Sequence, residues 1–342
     1  MTRRAVLICP GRGTYNAPEL GYLKQHSPRF DAELNGFDAQ RAALGQPAIT
    51  TLDAAEIFDA SVYTRGDNAS GLIYASAFCD GSSLADDIEV VAVTGNSMGW
   101  YIAMALAGAV SDQDGFRLVN TMGNLMQQNL IGGQLVYSVC DAGWVVDEVV
   151  KTGLLALVKQ IDTKPGHDLC ISINLGGILV FAGNEKGLAA FEITVPNVGH
   201  FPMRLQNHAA FHSPLQEVVA AQGRAQLADL RVSAPKVPLI DGFGKIWWPD
   251  GCDTKAIWDY TLGSQVTQTY DFAGAIKAAA QEFAPDMFIV AGPGNTLGGA
   301  VAQSLIACGW HGMRGKADFE AAQEGKNFLI SMGRGKQRLA VT

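Results

Sequence analysis

Residues 90–110 read VVAVTGNSMGWYIAMALAGAV: a β-branched apolar run, a serine between two glycines, then an apolar stretch rich in alanine and methionine. With the residues before it (DDIEVVAVT, 86–94), the first run has the composition of a buried strand. The stretch after Gly99 is too long for a strand and predicts a buried helix. Gly95-Asn96-Ser97-Met98-Gly99 therefore sits at a strand–turn–helix junction, the context in which Gly-x-Ser-x-Gly forms a nucleophile elbow. The reason is steric: a tight turn forces the serine into a strained conformation, so the flanking positions must lack side chains. Its oxygen then stands above the sheet at a helix N-terminus, where the dipole and the next amide, that of Met98, favour developing negative charge. The same five residues also fit an ordinary βα turn with a helix-capping serine.

Working outward, RAVLICP (4–10) reads as a short buried strand ended by the turn Pro10-Gly11-Arg12-Gly13. SDQDGFRLVNTMGNLMQQ (111–128) opens on Ser111 with Asp114 three residues on, then spaces Phe116, Leu118, Val119, Met122 and Leu125 at near-helical intervals. The tone changes near 129–136. From there to about 202 come a strand, the helix DEVVKTGLLALVKQI, the strands DLCISINL and GILVFAG, a further helix and ITVP, which together suggest a small α+β insertion. A helical pattern resumes over 213–230, and DMFIVAG (286–292) reads as the last strand.

Of 342 residues, 48% are hydrophobic and 17% charged, enough for a sizeable core. A net charge of −8 argues against nucleic acid as a partner, since phosphate neutralisation needs a basic face. Six scattered cysteines (Cys9, Cys79, Cys140, Cys170, Cys252, Cys308) form no C-x-x-C or zinc-spaced cluster, so buried free thiols and no metal site are expected. The start, MTRRAVLICPGRG, is too short in apolar residues for a signal-peptide core, and no run approaches a membrane span. A soluble, reducing, cytoplasmic setting without membrane contact is the expectation. GPGNTLGG after the last strand lacks the G-x-G-x-x-G spacing and the later acidic residue of a dinucleotide site.

A nucleophilic serine needs a base, and six histidines are available: His26, His167, His200, His208, His212 and His311. Spacing does not choose among them; the α/β-hydrolase order, with a late histidine, would point to His311. Four segments taken in order, CPGRGTYN, GNSMGWYIAMALAGAVSDQDGFRLVNTMGNLMQQ, AAFHSPLQ and VAGPGNTLGG, make a choice. The chain resembles the malonyl-CoA:acyl-carrier-protein transacylases and the acyltransferase domains of polyketide synthases over roughly residues 4–300. The resemblance implies an α/β, hydrolase-like parallel-sheet domain (1–131 and 203–342) with an inserted ferredoxin-like α+β subdomain (132–202). It implies Ser97 as acylated nucleophile, His212 as base, the Gln265 backbone carbonyl as orienter of the histidine, and the amides of Met98 and Arg12 as oxyanion hole. The acyl pocket would involve Arg12, Met122, Phe211, Asn174 and Trp100. No cofactor would be held: acyl-CoA would be the donor and the phosphopantetheine thiol of an acyl carrier protein the acceptor.

Departures from the family pattern concentrate on the acyl group. The LRG arginine that pairs with a substrate carboxylate in malonyl-specific members is Met122, and the PGQG glutamine is Arg12. Either positive charge has moved from one pocket wall to another, or the donor is not carboxylated and Arg12 points elsewhere. Rival readings are a thioesterase-like editing hydrolase on the same scaffold and a non-catalytic family member; retention of Ser97 and His212 counts against the latter. Beyond His311, Arg314, Lys316, Lys326, Arg334, Lys336 and Arg338 outnumber the acids and form a candidate carrier-protein docking patch.

Overall fold

The computed structural model describes residues 2–342. Arg3–Cys9 forms β1, whose last five residues are shielded on both faces, as an apolar strand inside a parallel sheet must be. The other strands in chain order are β2 Ile88–Gly95, β3 Gly133–Ser138, β4 Leu169–Asn174, β5 Ile178–Gly183, β6 Met203–Arg204, β7 Leu239–Ile240, β8 Ile246–Trp247, β9 Tyr270–Asp271, β10 Met287–Val290 and β11 Leu329–Ser331. They make two sheets.

The first sheet has the order β11-β10-β1-β2-β7-β8 and is parallel except for β8, which runs antiparallel to β7. β1 thus has β2 on one side and β10 on the other. In such sheets the crevice beyond the strand C-termini, where the winding changes direction, is where ligands bind. Cys9 lies opposite Gly95 in the register, so the turns leaving β1 and β2 emerge side by side at that edge. Against this sheet packs the helix Gly99–Leu106, with the almost wholly buried Gly66–Gly81 beside it and Asp112–Gln128 lying across the latter. Ser111 caps Asp112–Gln128 as the sequence suggested, its Oγ accepting from the Asp114 amide at 3.0 Å.

The second sheet has the order β6-β3-β5-β4-β9. Its first four strands by chain order and the helices Glu148–Asp162 and Glu185–Glu192 follow one another as β-α-β-β-α-β. Leu135, Tyr137, Phe181, Leu154, Ile161 and Phe191 make a separate small core between sheet and helices. The sheet reaches beyond the 132–202 bounds expected from sequence: β6 follows them, and β9 arrives from far down the chain to pair in parallel with β4. Strand signals were weak there because each segment is only two residues long.

Three sequence expectations are corrected. DMFIVAG is not the last strand, since β11 pairs in parallel with β10. ITVP, expected as the closing segment of the α+β insertion, adds no regular element to it; Ile193 caps the preceding helix and the chain turns away. The helix expected over 213–230 is Glu217–Gln226, preceded by one tight turn at Pro214–Gln216. All six cysteines are free, but only Cys9 and Cys79 are fully buried.

Candidate active site

Ser97 follows β2 and has a φ of +55°, a left-handed conformation that a side chain adopts only under constraint. The constraint is visible at the two glycines. A Cβ on Gly95 would lie 2.2 Å from the Gly99 carbonyl carbon, and one on Gly99 would lie 2.2 Å from the Cys9 carbonyl oxygen. Both contacts are with backbone, which cannot swing aside. The turn is pinned to β1 by the Asn96 amide, which donates to Cys9 O at 2.9 Å. The Ser97 oxygen therefore faces the crevice rather than the core.

His212, from a segment that links the two sheets, meets it there. Ser97 Oγ lies 2.7 Å from His212 Nε2, and His212 Nδ1 lies 2.7 Å from the Gln265 carbonyl oxygen. A carbonyl oxygen only accepts, so Nδ1 carries the proton and Nε2 offers its lone pair to the serine hydroxyl. Burial pushes the imidazole down to about 4, against a smaller upward pull from the Gln265 carbonyl. At neutral pH it is an uncharged base. His212 itself has a φ of +54°, so both partners are held in uncommon backbone conformations, a concentration of strain typical of sites.

Gln265 is fixed at both ends. Its Nε2 donates to Ser97 O at 3.0 Å, and its Oε1 accepts from the Tyr101 hydroxyl at 2.9 Å. Tyr270 donates to Gly95 O at 2.6 Å and packs its ring against His212. A second polar chain supports the base from the β3–β5 side: His208 to Gln134, Gln134 to Ser172, and Ser172 Oγ to the carbonyl of Phe211 at 2.8 Å. Tyr101, Tyr270, Gln134 and Ser172 were not singled out from sequence. None of the four carried a signal that singles it out.

A tight cavity of about 20 Å³, little more than room for a water molecule, opens on Ser97 and His212. Met98, Tyr101, Val119, Met122, Met126 and Phe211 make its walls mostly apolar. Arg12, Met122 and Phe211 line this cavity, whereas Trp100 and Asn174, expected beside them, do not. Trp100 is fully buried behind the elbow, donating to Thr261 Oγ1 at 2.9 Å and packing edge-on against Tyr260. Asn174 donates to Asp271 Oδ1 at 2.7 Å and accepts from the Gly176 amide, and it does not reach the cavity. The amides of Arg12 and Met98, in the adjacent turns, have no partner among the described residues.

The Arg12 side chain is not solvated at its tip. Nη2 donates to Thr64 O at 2.7 Å and to Asn207 O at 3.3 Å, and the guanidinium lies 5.4 Å from the Phe211 ring centroid. His311 is elsewhere: it packs on Trp310 beside Arg3 and Asp286, at the opposite edge of the sheet from Ser97. The basic C-terminal patch is also reduced, because Arg338 is buried against Asp80 at 2.6 Å while Arg314 and Lys316 face Asp318 and Glu320. Among the described residues no group of His, Cys, Asp and Glu is placed to hold a metal, and no helix is long and apolar enough to cross a membrane.

No family model matches the chain. It is similar to the polyketide synthase GfsB of Streptomyces halstedii, 26% identical over 208 residues that make up 60% of this chain and 3% of that protein. It is also similar to the non-reducing polyketide synthase gsfA of Penicillium aethiopicum, 25% identical over 278 residues, 79% of this chain and 14% of that one. The chain thus spans only a small part of these curated relatives. Among solved structures it is similar to an acyl-carrier-protein S-malonyltransferase from Burkholderia pseudomallei 1710b, with a TM-score of 0.73 at 21% identity, covering 94% of this chain and 99% of that one. A malonyl CoA-acyl carrier protein transacylase from Coxiella burnetii gives a TM-score of 0.77 at 16% identity, covering 99% and 97%. The acyl transferase domain of ZmaA gives 0.74 at 17%, covering 96% and 70%. The chain has the mixed α/β fold of these proteins, and the family resemblance read from its four segments is borne out.

Proposed function

We propose that this chain is an acyltransferase that carries a short acyl group from coenzyme A to the phosphopantetheine thiol of an acyl carrier protein, through an ester on Ser97. One observation carries the reading: a serine hydroxyl 2.7 Å from a neutral imidazole whose other nitrogen is tied to a backbone carbonyl, at the floor of a small, mostly apolar cavity. The names of the solved neighbours, malonyltransferases and transacylases, agree with it.

In this mechanism His212 Nε2 takes the hydroxyl proton as Ser97 Oγ attacks the thioester carbon. The carbonyl oxygen becomes an oxyanion between the amides of Met98 and Arg12, which need not reorganise to receive it. When the tetrahedral centre collapses, the carbon–sulfur bond breaks and His212 returns the proton to the departing thiolate. The carrier thiol then repeats the sequence in reverse, giving its proton to His212, forming a new thioester and restoring Ser97. The apolar walls and limited volume leave little room for a competing water at the ester, which favours transfer over hydrolysis.

The test is intact-protein mass spectrometry after mixing with malonyl-CoA, then with a phosphopantetheinylated carrier protein. The expected result is one acyl adduct on the wild type, none on Ser97→Ala, and migration of the adduct to the carrier protein. Release of free acid without acyl-carrier product would support the editing hydrolase instead. An adduct that survives Ser97→Ala would overturn the assignment of the nucleophile.

A further inference from the structure

We infer that the Arg12 guanidinium is the receptor for a free carboxylate on the acyl group, so that the donors accepted are short carboxyacyl thioesters of the malonyl kind. This rests on the acyl-serine reading above and extends it to the substrate.

The deciding feature is an unmatched donor. Arg12 Nη1 is shut off from solvent and has no hydrogen-bond partner among the described residues, while Nη2 is held by Thr64 O and Asn207 O. Burial lowers this guanidinium to about 10, so it stays protonated at neutral pH. It makes no ion pair among the described residues. Asp67 is near enough to favour its charge, but both carboxylate oxygens of Asp67 are taken by Arg65 at 3.0 and 2.8 Å.

The two other buried arginines show what a purely structural guanidinium looks like in this molecule. Arg41 is met by Pro47 O, Asp67 O, Asn120 Oδ1 and Asn68 Oδ1. Arg338 is paired with Asp80 and bonded to Met332 O. Neither leaves a buried nitrogen without a partner; Arg12 does, and Arg12 is the one that lines the cavity over Ser97.

A buried cation without a counter-charge is unfavourable, and it is relieved by an anion that arrives with the substrate. A carboxylate facing Nη1 would gain charge-assisted hydrogen bonds that an alkyl group cannot. The surrounding methionines, Met122 and Met126, offer no other polar partner. The fixed anchors on Thr64 and Asn207 hold the guanidinium in place before the acyl group enters. Positive charge is thus supplied to the pocket from the oxyanion turn, not from the helix that carries Met122.

The experiment compares initial rates of Ser97 acylation from malonyl-, isovaleryl- and acetyl-CoA in wild type, Arg12→Lys and Arg12→Met. Isovaleryl replaces the carboxylate by an isopropyl group of the same heavy-atom count. Wild type should prefer malonyl over isovaleryl by about a hundredfold or more, as a site built to satisfy a polar group does. Arg12→Met should lose that preference, malonyl loading falling by at least about tenfold more than isovaleryl and acetyl loading, and Arg12→Lys should retain part of it. Equal loading of all three donors by wild type, or an equal slowing of all three in Arg12→Met, would overturn the inference; the second result would make Arg12 a strut between the 64 and 207 segments. Equilibrium binding of the same thioesters to Ser97→Ala, with and without Arg12→Met, reads the carboxylate preference without chemistry. A preference there with no acylation of the wild type would sink the acyl-serine reading and keep the receptor, whereas acylation without any preference would do the reverse.

Discussion

Lowering the pH from 7.5 to 5.5 should leave the rate of Ser97 acylation almost unchanged. In the proposed mechanism the base is His212, and only its neutral form can take the serine proton. Desolvation holds its pKa at about 4, with the Gln265 carbonyl pulling it back only in part. At pH 5.5 about 97% of such an imidazole is neutral, whereas one at the ordinary value of about 6.5 would be about 9% neutral, a roughly tenfold loss of rate. The assay is rapid-quench acylation read by intact mass, with a malonyl thioester of N-acetylcysteamine as donor because it carries no phosphate to titrate in this window. Circular dichroism at each pH keeps the comparison to folded protein. That control matters because a depressed histidine pKa is also a stability statement. The unfolded chain binds a proton near 6.5 that the folded one refuses until about 4, so stabilisation present above 6.5 is lost as pH falls towards 4, by about 3 kcal/mol in all. His208, lowered to about 3 by burial and by the Arg12 charge, acts in the same direction. A tenfold fall in rate between pH 7.5 and 5.5, in a sample still folded, would refute the claim that His212 is desolvated and uncharged.

Two further predictions concern the scaffold that presents the site. Gly95→Ala places a methyl 2.2 Å from the Gly99 carbonyl carbon and 2.3 Å from its oxygen, so the elbow must move; acylation should fall by more than a hundredfold and a urea melt should show a loss of about 3 kcal/mol, at the upper end for overpacking. Arg338→Met leaves the fully buried Asp80 without its cation and should cost about 3–5 kcal/mol in the same melt, with acylation by the folded fraction unchanged because the pair lies outside the cavity.

The elbow was legible in the sequence because its cause is local. Two glycines around a serine, between a β-branched run and an alanine-rich one, report a steric requirement that the chain meets within five residues. The early Pro10-Gly11-Arg12-Gly13 turn was legible as a turn, but its position beside Ser97 depends on β1 pairing with β2 across more than eighty residues. The base was harder. His212 and His311 are equally plain histidines in composition, and only family resemblance favoured one; the sheet then separates them to opposite edges. Trp100 and Asn174 were misplaced for a common reason: nearness in sequence to a site residue, or to a strand end, does not tell which way a side chain turns. Trp100 points behind the elbow because Thr261 and Tyr260 receive it there. The supporting polar groups, Gln134, Ser172 and Tyr270, sit in strands of the second sheet, where single polar residues among apolar ones read as ordinary alternation.

The use of a backbone carbonyl where many hydrolases place a carboxylate has a physical consequence for the proposed transfer. A carboxylate beside His212 would add a full negative charge and raise the imidazole pKa; the Gln265 carbonyl adds only a dipole, and the imidazole stays near 4. The imidazolium formed during attack is then poorly stabilised and a ready acid, which suits a step whose leaving group is a thiolate that accepts the proton at once, with a thiol pKa of about 8.5. The entering carrier thiol has the same chemistry, so one proton shuttles between Nε2 and sulfur in both halves of the reaction. What such a weakly held base requires is positional certainty, and Gln265 provides it. The residue whose carbonyl accepts from His212 also binds the Ser97 carbonyl with its side-chain amide and receives Tyr101 from the helix that follows the serine turn. Ser97 and His212, 115 residues apart in the chain, are thereby referenced to a single residue and not to each other alone.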